Sequence, residues 1–298
     1  MSTEDQLQWE ARLGRPAAVA AFAAGLLLLV GTGVLLSIAE GRQGVEPTPD
    51  FLLSVNESPG TLYAATALQA VAALCMIPVF YYLFRATTAR IPSIPRWFVY
   101  LIVLGPAMYA AAQPLSAVSR VDVAEMFAER DYSFPEAEPD SELAECPAIR
   151  GDLGRECAEE LQQENTSGAS VGLGFAGTVS IAFLFVMVPL RARRAGLLTP
   201  FMSILGVIAG VLVVLPLLPG VPVVIQAFWL GAMGALFLGK WPGGRGPAWE
   251  SGEPEPWPTV AERRGRASTE PETGEETPEP EPEPVPERPS SRKRKRKR

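Results

Sequence analysis

The chain has 298 residues, 48% of them hydrophobic, with three cysteines, no histidine and a net charge of −7. Without histidine, His-centred catalytic triads, histidine metal sites and histidine pH switches are all excluded. The apolar residues stand in long blocks between charged loops, the pattern of membrane spans rather than of a soluble fold.

In chain order, Thr3 to Arg15 form a short polar segment that Ser2 or Thr3 could cap, with Trp9 and Leu13 on one helical face. It reads as a cytoplasmic N-terminal segment, 1–15, either an interfacial helix or a frayed end. The first apolar block covers 16–39. Its length exceeds the apolar core of a signal peptide, so it reads as an uncleaved span. Further spans are expected at about 62–84, 97–118, 169–190, 197–215 and 221–239. The last two come from Thr199 to Gly239, which carries no ionisable side chain and is broken by Pro216, Pro219, Gly220 and Pro222. One helix of that length would be about twice the hydrocarbon core of a bilayer, so a hairpin of two spans fits better. The predicted fold is all-α: a polytopic membrane bundle of six transmembrane helices over 16–240, with a disordered tail over 241–298.

Orientation follows from the cations. Arg12 and Arg15, then Arg85, Arg90 and Arg96, then Arg191, Arg193 and Arg194, then Lys240 and Arg245 occupy alternate segments. The positive-inside rule places both termini in the cytoplasm of a plasma-membrane protein, with the acidic loop 119–168 outside. That loop opens with an amphipathic stretch, Val121 to Glu129.

The predicted spans hold no Asp, Glu, Lys or Arg. A charge at mid-bilayer costs about 2.5–3.5 kcal/mol and usually marks an ion path or proton relay. Its absence argues against pumps, proton-coupled transporters and voltage sensors, while a path for a neutral solute stays open. The most polar span residues are Gln69, Gln113 and Gln226. They either converge on one buried site or join helices by interhelical hydrogen bonds. Small residues at Gly206 and Gly210, at Ala227, Gly231, Ala235 and Gly239, and at Gly172, Ala176 and Ser180 form ridges. Such ridges serve close packing within the chain, homo-oligomerisation or docking of another membrane protein.

Cys146 and Cys157, in an extracytoplasmic loop, form a disulfide candidate. The loop carboxylates show no calcium-loop spacing, and no nucleophile–base constellation is present, so neither metal, cofactor nor catalytic residues are assigned. The tail becomes rich in proline and glutamate, which cannot bury a core. It ends on Arg292, Lys293, Arg294, Lys295, Arg296, Lys297 and Arg298. Such a cluster suits anionic lipid headgroups ahead of nucleic acid, with a solvated tail as the plain alternative.

The layout resembles an uncharacterised family of six-span integral membrane proteins of high-G+C bacteria, a domain of unknown function. The likeness rests on a short first external loop, a longer acidic loop after the third span, Gly243-Gly-Arg-Gly-Pro-Ala-Trp-Glu250 and Glu255-Pro-Trp-Pro258. It implies the topology and supplies no activity, cofactor or site residue. Two functions follow from the residues. The leading one is a non-enzymatic envelope interaction or sensing module acting through the loop and the tail. The alternative is a transporter or flippase-like carrier of a neutral or lipid-like substrate. Geometry separates them: a dry bundle fits the first, a polar cavity between the helices the second.

Overall fold

The computed structural model describes residues 2–38, 49–91, 95, 97–130, 152–215, 220–242 and 244–257. Among them the regular structure is helical: α1 (Thr3–Ile38), α2 (Pro49–Glu57), α3 (Pro59–Arg90), α4 (Phe98–Arg130), α5 (Asp152–Asn165), α6 (Gly168–Arg194), α7 (Pro200–Val214), α8 (Val221–Phe237) and α9 (Pro247–Ser251).

The polar N-terminal segment and the first apolar block form one helix, α1. Its start is closed reciprocally: the Asp5 amide donates to Ser2 Oγ at 3.2 Å, and the Ser2 amide donates to Asp5 Oδ2 at 3.1 Å. α7 begins at Thr199, whose hydroxyl accepts from the Met202 amide, with Pro200 at the first helical position.

Six helices close a ring. α1 packs on α3, α3 on α4, α4 on α6, α6 on α7, α7 on α8, and α8 returns to α1. Neighbours run antiparallel: along α1, Gly14 meets Tyr82 and Phe237 whereas Gly31 meets Ala65 and Gly25 meets Ala227, and Gly105 of α4 meets Ser180 of α6 whereas Ala112 meets Gly174. The faces turned inward are rich in small residues. Along α1 the buried stripe is Ala17, Ala18, Ala21, Ala24, Gly25, Leu28 and Gly31. At Gly177 of α6 an added Cβ would sit 2.5 Å from the Tyr109 amide nitrogen of α4, so those two backbones nearly touch. The ridge of Gly206 and Gly210 meets Pro189 and Ala182 of α6, whereas Gly231 and Gly172 face open space. Small residues at helix contacts are the usual device of lipid-embedded bundles.

The outward faces carry the large side chains instead. Val19, Leu26, Tyr100, Phe175, Ile204, Val224 and Phe228 are more than half exposed. A soluble monomer seldom leaves so continuous an apolar surface uncovered. Four helices, α1, α3, α4 and α6, are long and apolar enough to cross a membrane. α7 and α8 are shorter, at 15 and 17 residues, and form the hairpin expected on either side of the proline-rich break. At 1.5 Å per residue each is about 22–26 Å long, a few ångströms short of a typical hydrocarbon core. This build is compatible with a multi-pass membrane protein.

At the end away from the N-terminus, α4 continues through the amphipathic stretch expected over 121–129. Val121, Ala124 and Phe127 recur at helical spacing and are buried with Leu52 and Val55 of α2 and Leu161 of α5. A second, smaller apolar core thus sits on that end of the ring.

At the other end, the disorder expected from Trp241 onward does not hold for 244–257. Arg245 and Trp249 anchor this stretch against the bundle, and α9 forms within it. Cys146 and Arg292–Arg298 lie outside the described residues, as does the Cys157 side chain.

Candidate functional site

Inside the ring lies a cavity of about 320 Å³. Every ring helix contributes to its wall: Thr32 from α1, Gln69 from α3, Tyr109 from α4, Thr178 from α6, Leu212 from α7 and Gln226 from α8. Gln226 is almost fully buried. Two of the three glutamines singled out by sequence therefore share one site. Gln113 does not line it; it stands one turn further along α4 from Tyr109, which does. Arg120, further along α4, is close enough for its charge to act on Tyr109.

The polar groups facing this space are not spent on one another. Neither the Gln69 nor the Gln226 amide has a hydrogen bond among the described residues. The Thr32 hydroxyl is buried without any partner among them. A polar group left bare in an apolar surrounding costs about 1–3 kcal/mol. Amides and hydroxyls both donate and accept, so together they suit a neutral, hydrogen-bonding guest.

Toward the end that bears the N-terminus and α9 the cavity is closed by an aromatic floor, one turn beyond Met76, Ile181 and Gln226. Phe80, Phe185 and Trp229 are fully buried there. Phe80 meets Phe185 edge-on at 5.1 Å, Phe185 meets Trp229 at 5.1 Å, and Trp229 Nε1 donates to the Met202 carbonyl at 3.0 Å. With its indole N–H satisfied and its ring packed, Trp229 fixes α8 against α7.

Below the floor is a polar clasp. Arg90 Nη1 and Nη2 donate to the two carboxylate oxygens of Glu10 at 2.6 and 3.1 Å. Arg90 also donates to the Ala248 carbonyl through Nε and Nη2, at 2.9 and 2.6 Å, and to the Ala86 carbonyl at 2.9 Å. Gln6 Nε2 donates to Glu10 Oε1 at 2.8 Å, and the Tyr82 hydroxyl donates to the Glu10 carbonyl at 2.9 Å. A buried ion pair is tolerable only when its remaining donors and acceptors are satisfied, as they are here. Trp249 completes the clasp. Its Nε1 donates to the Leu197 carbonyl at 2.9 Å, and its ring stacks on Tyr82 at 5.8 Å. The guanidinium carbons of Arg90 and Arg245 lie 5.5 and 5.6 Å from its centroid. Arg245 Nη2 donates to the Phe237 carbonyl at the end of α8.

Sequence reasoning counted Arg90 and Arg245 only as markers of orientation and did not single out Tyr82 as a site residue, although Tyr82 is buried. The one signal of the clasp was the motif-like Gly243–Glu250 stretch. Nothing in sequence flagged Thr32, Tyr109 or Thr178, because hydroxyls inside apolar blocks are too common to stand out. Among the described residues no cluster of His, Cys, Asp and Glu could hold a metal ion.

Comparison with protein-family models, curated proteins and solved structures finds no match for this chain.

Proposed function

We propose that this protein is a six-crossing membrane carrier for a neutral, hydrogen-bonding or lipid-like molecule, which it holds in the cavity inside the helix ring. The observation that carries this reading is the cavity wall itself: the Thr32 hydroxyl and the amides of Gln69 and Gln226, none with a partner among the described residues, converging from three helices on one space. Among the described residues no Asp, Glu, Lys or Arg lines that space, which suits an uncharged substrate; a buried charge would meet no counter-charge on that wall. About 320 Å³ lies at the small end of ligand cavities, enough for a compact molecule or the polar part of a neutral lipid. The aromatic floor separates the guest from the clasped end, and movement of that floor would expose it to the other side.

In this reading the α7–α8 hairpin completes six crossings of the plasma membrane, both termini being cytoplasmic. The cations Arg12, Arg15, Arg85, Arg191, Arg193, Arg194 and Lys240 at the clasped end support that orientation. The cavity favours a carrier over an envelope interaction module, whose loop and tail lie largely outside the described residues.

The test is mass spectrometry of small molecules that co-purify with the protein from its native membrane, compared with a Thr178→Phe variant that fills the cavity. A neutral compound bound to the wild type and absent from the filled variant, followed by its flux into proteoliposomes, is the expected result. If the two preparations carry the same molecules at the same level while both remain folded, the reading fails.

A further inference from the structure

A second hollow, of about 270 Å³, opens on the flank of the bundle where the end of α3, the start of α4 and the last turns of α6 meet. It is separate from the central cavity and shares no lining residue with it. Phe84, Phe98 and Phe183 form its walls: Phe84 stacks on Phe98 at 5.5 Å, and Phe98 meets Phe183 at 5.8 Å. Met187 lines it, Trp97 stands at its lip with 57% of its surface exposed, and Arg191 closes one end.

Among the described residues Arg191 is the one charged residue lining this hollow, and its guanidinium makes no hydrogen bond or ion pair with any of them. Arg193 and Arg194 follow it, exposed, in the last turn of α6. α4 starts at the same lip with Phe98, so the positive pole of that helix adds to the same potential. The groove opens sideways among the exposed apolar side chains of Tyr100, Phe183 and Leu190, where hydrocarbon tails would lie.

The order of chemistry is therefore an aromatic slot, an indole at the lip and an unpaired guanidinium at the end. That order complements an amphiphile with a hydrocarbon chain and an anionic head. It does not complement a neutral lipid, which would leave the guanidinium bare, or an apolar helix, which has no anion to offer. A guanidinium takes a phosphate through two parallel N–H donors, and an indole is at home at the headgroup level.

We propose that this groove binds one anionic glycerophospholipid, an acyl chain lying between Phe84, Phe98 and Phe183 and the phosphate resting on Arg191. The hollow is too small for a whole lipid and suits one stretch of chain, the remainder lying along the outer faces of α4 and α6.

Native mass spectrometry of the full chain in mixed micelles of equimolar phosphatidylglycerol and phosphatidylcholine tests this. The wild type should hold one phosphatidylglycerol in preference. Arg191→Gln should lower that retention about five-fold, the effect of one cation near a lipid headgroup, and leave phosphatidylcholine unchanged. Arg193→Gln, which keeps Arg191, should change it far less. Met187→Trp, which fills the slot and keeps every charge, should expel the lipid. Photoreactive phosphatidylglycerol, used on the unmodified protein so that folding of variants is not in question, should form adducts at Phe183 and Met187. Equal retention of the two lipids, equal losses in the two arginine variants, or adducts scattered over the belt would overturn the proposal. So would cross-links between two copies through Trp97, which would make the groove a protein contact.

Discussion

Arg90 and Glu10, 80 positions apart in sequence, form a two-pronged ion pair whose side chains are 0% and 3% exposed. It ties the first turns of α1 to the last turn of α3, and through Ala248 it holds the chain that follows α8. Three separate parts of the sequence thus meet at one guanidinium.

Breaking that pair from one side should be costly. Glu10→Leu leaves Arg90 buried without its counter-charge and should destabilise by about 3–5 kcal/mol, read as a lower unfolding temperature in detergent. Adding Arg90→Met should recover much of the loss, because an apolar pair of similar volume removes the stranded charge. A double variant as unstable as the single one would mean that the backbone bonds of Arg90, rather than its charge pair, dominate.

Trp249 is expected to be the anchor of the segment after α8. Trp249→Ala removes a buried ring stacked on Tyr82 and flanked by two guanidinium groups, at a cost of about 3–5 kcal/mol. Trp249→Phe loses mainly the bond to Leu197 and should cost about 1 kcal/mol. Trypsin offers a second readout: Arg245 should be resistant to cleavage in the wild type and cut readily in Trp249→Ala.

The cavity should trade stability against binding. Thr32→Val replaces a buried hydroxyl that has no partner among the described residues with a methyl group of the same shape. The variant should be as stable as the wild type or more so by about 1 kcal/mol, yet retain less of the co-purifying molecule. A loss of stability would show that Thr32 finds a partner inside the protein.

Close approach of α4 and α6 depends on Gly177. Gly177→Ala places a methyl group 2.5 Å from the Tyr109 nitrogen and should cost about 1–3 kcal/mol by forcing the helices apart. Gly172→Ala, five residues earlier with nothing within 4 Å, should be neutral. Unfolding midpoints of the two variants compare them directly.

Topology can be read from single cysteines in a cysteine-free background. Glu164→Cys, on the exposed side of α5, should react with an impermeant maleimide on intact cells. Ser251→Cys, beside the clasp, should react only after permeabilisation. The reverse pattern would invert the orientation, and reaction of both on intact cells would break the even number of crossings.

Much of the helical architecture was legible in the residues alone. Blocks free of charge, such as Thr199–Gly239, must satisfy their backbone groups internally once surrounded by hydrocarbon, and a helix is the local way to do so. The proline-rich break told where the hairpin turns, and Val121–Glu129 announced its amphipathic face. Gln69 and Gln226 were conspicuous because an amide in an apolar block has to find a partner or a guest.

What sequence determined, then, is which stretches become apolar helices and where polar groups are trapped within them, since both depend on local composition. Only the tertiary structure decided that Gln69, Gln226, Thr32 and Tyr109 face one space, and that Glu10, Arg90 and Trp249 meet at one end of the helix ring. Helix rotation and ring order are set by how small residues such as Gly177 and Gly25 let particular backbones meet. Such contacts join positions far apart in the chain, and no local pattern encodes them.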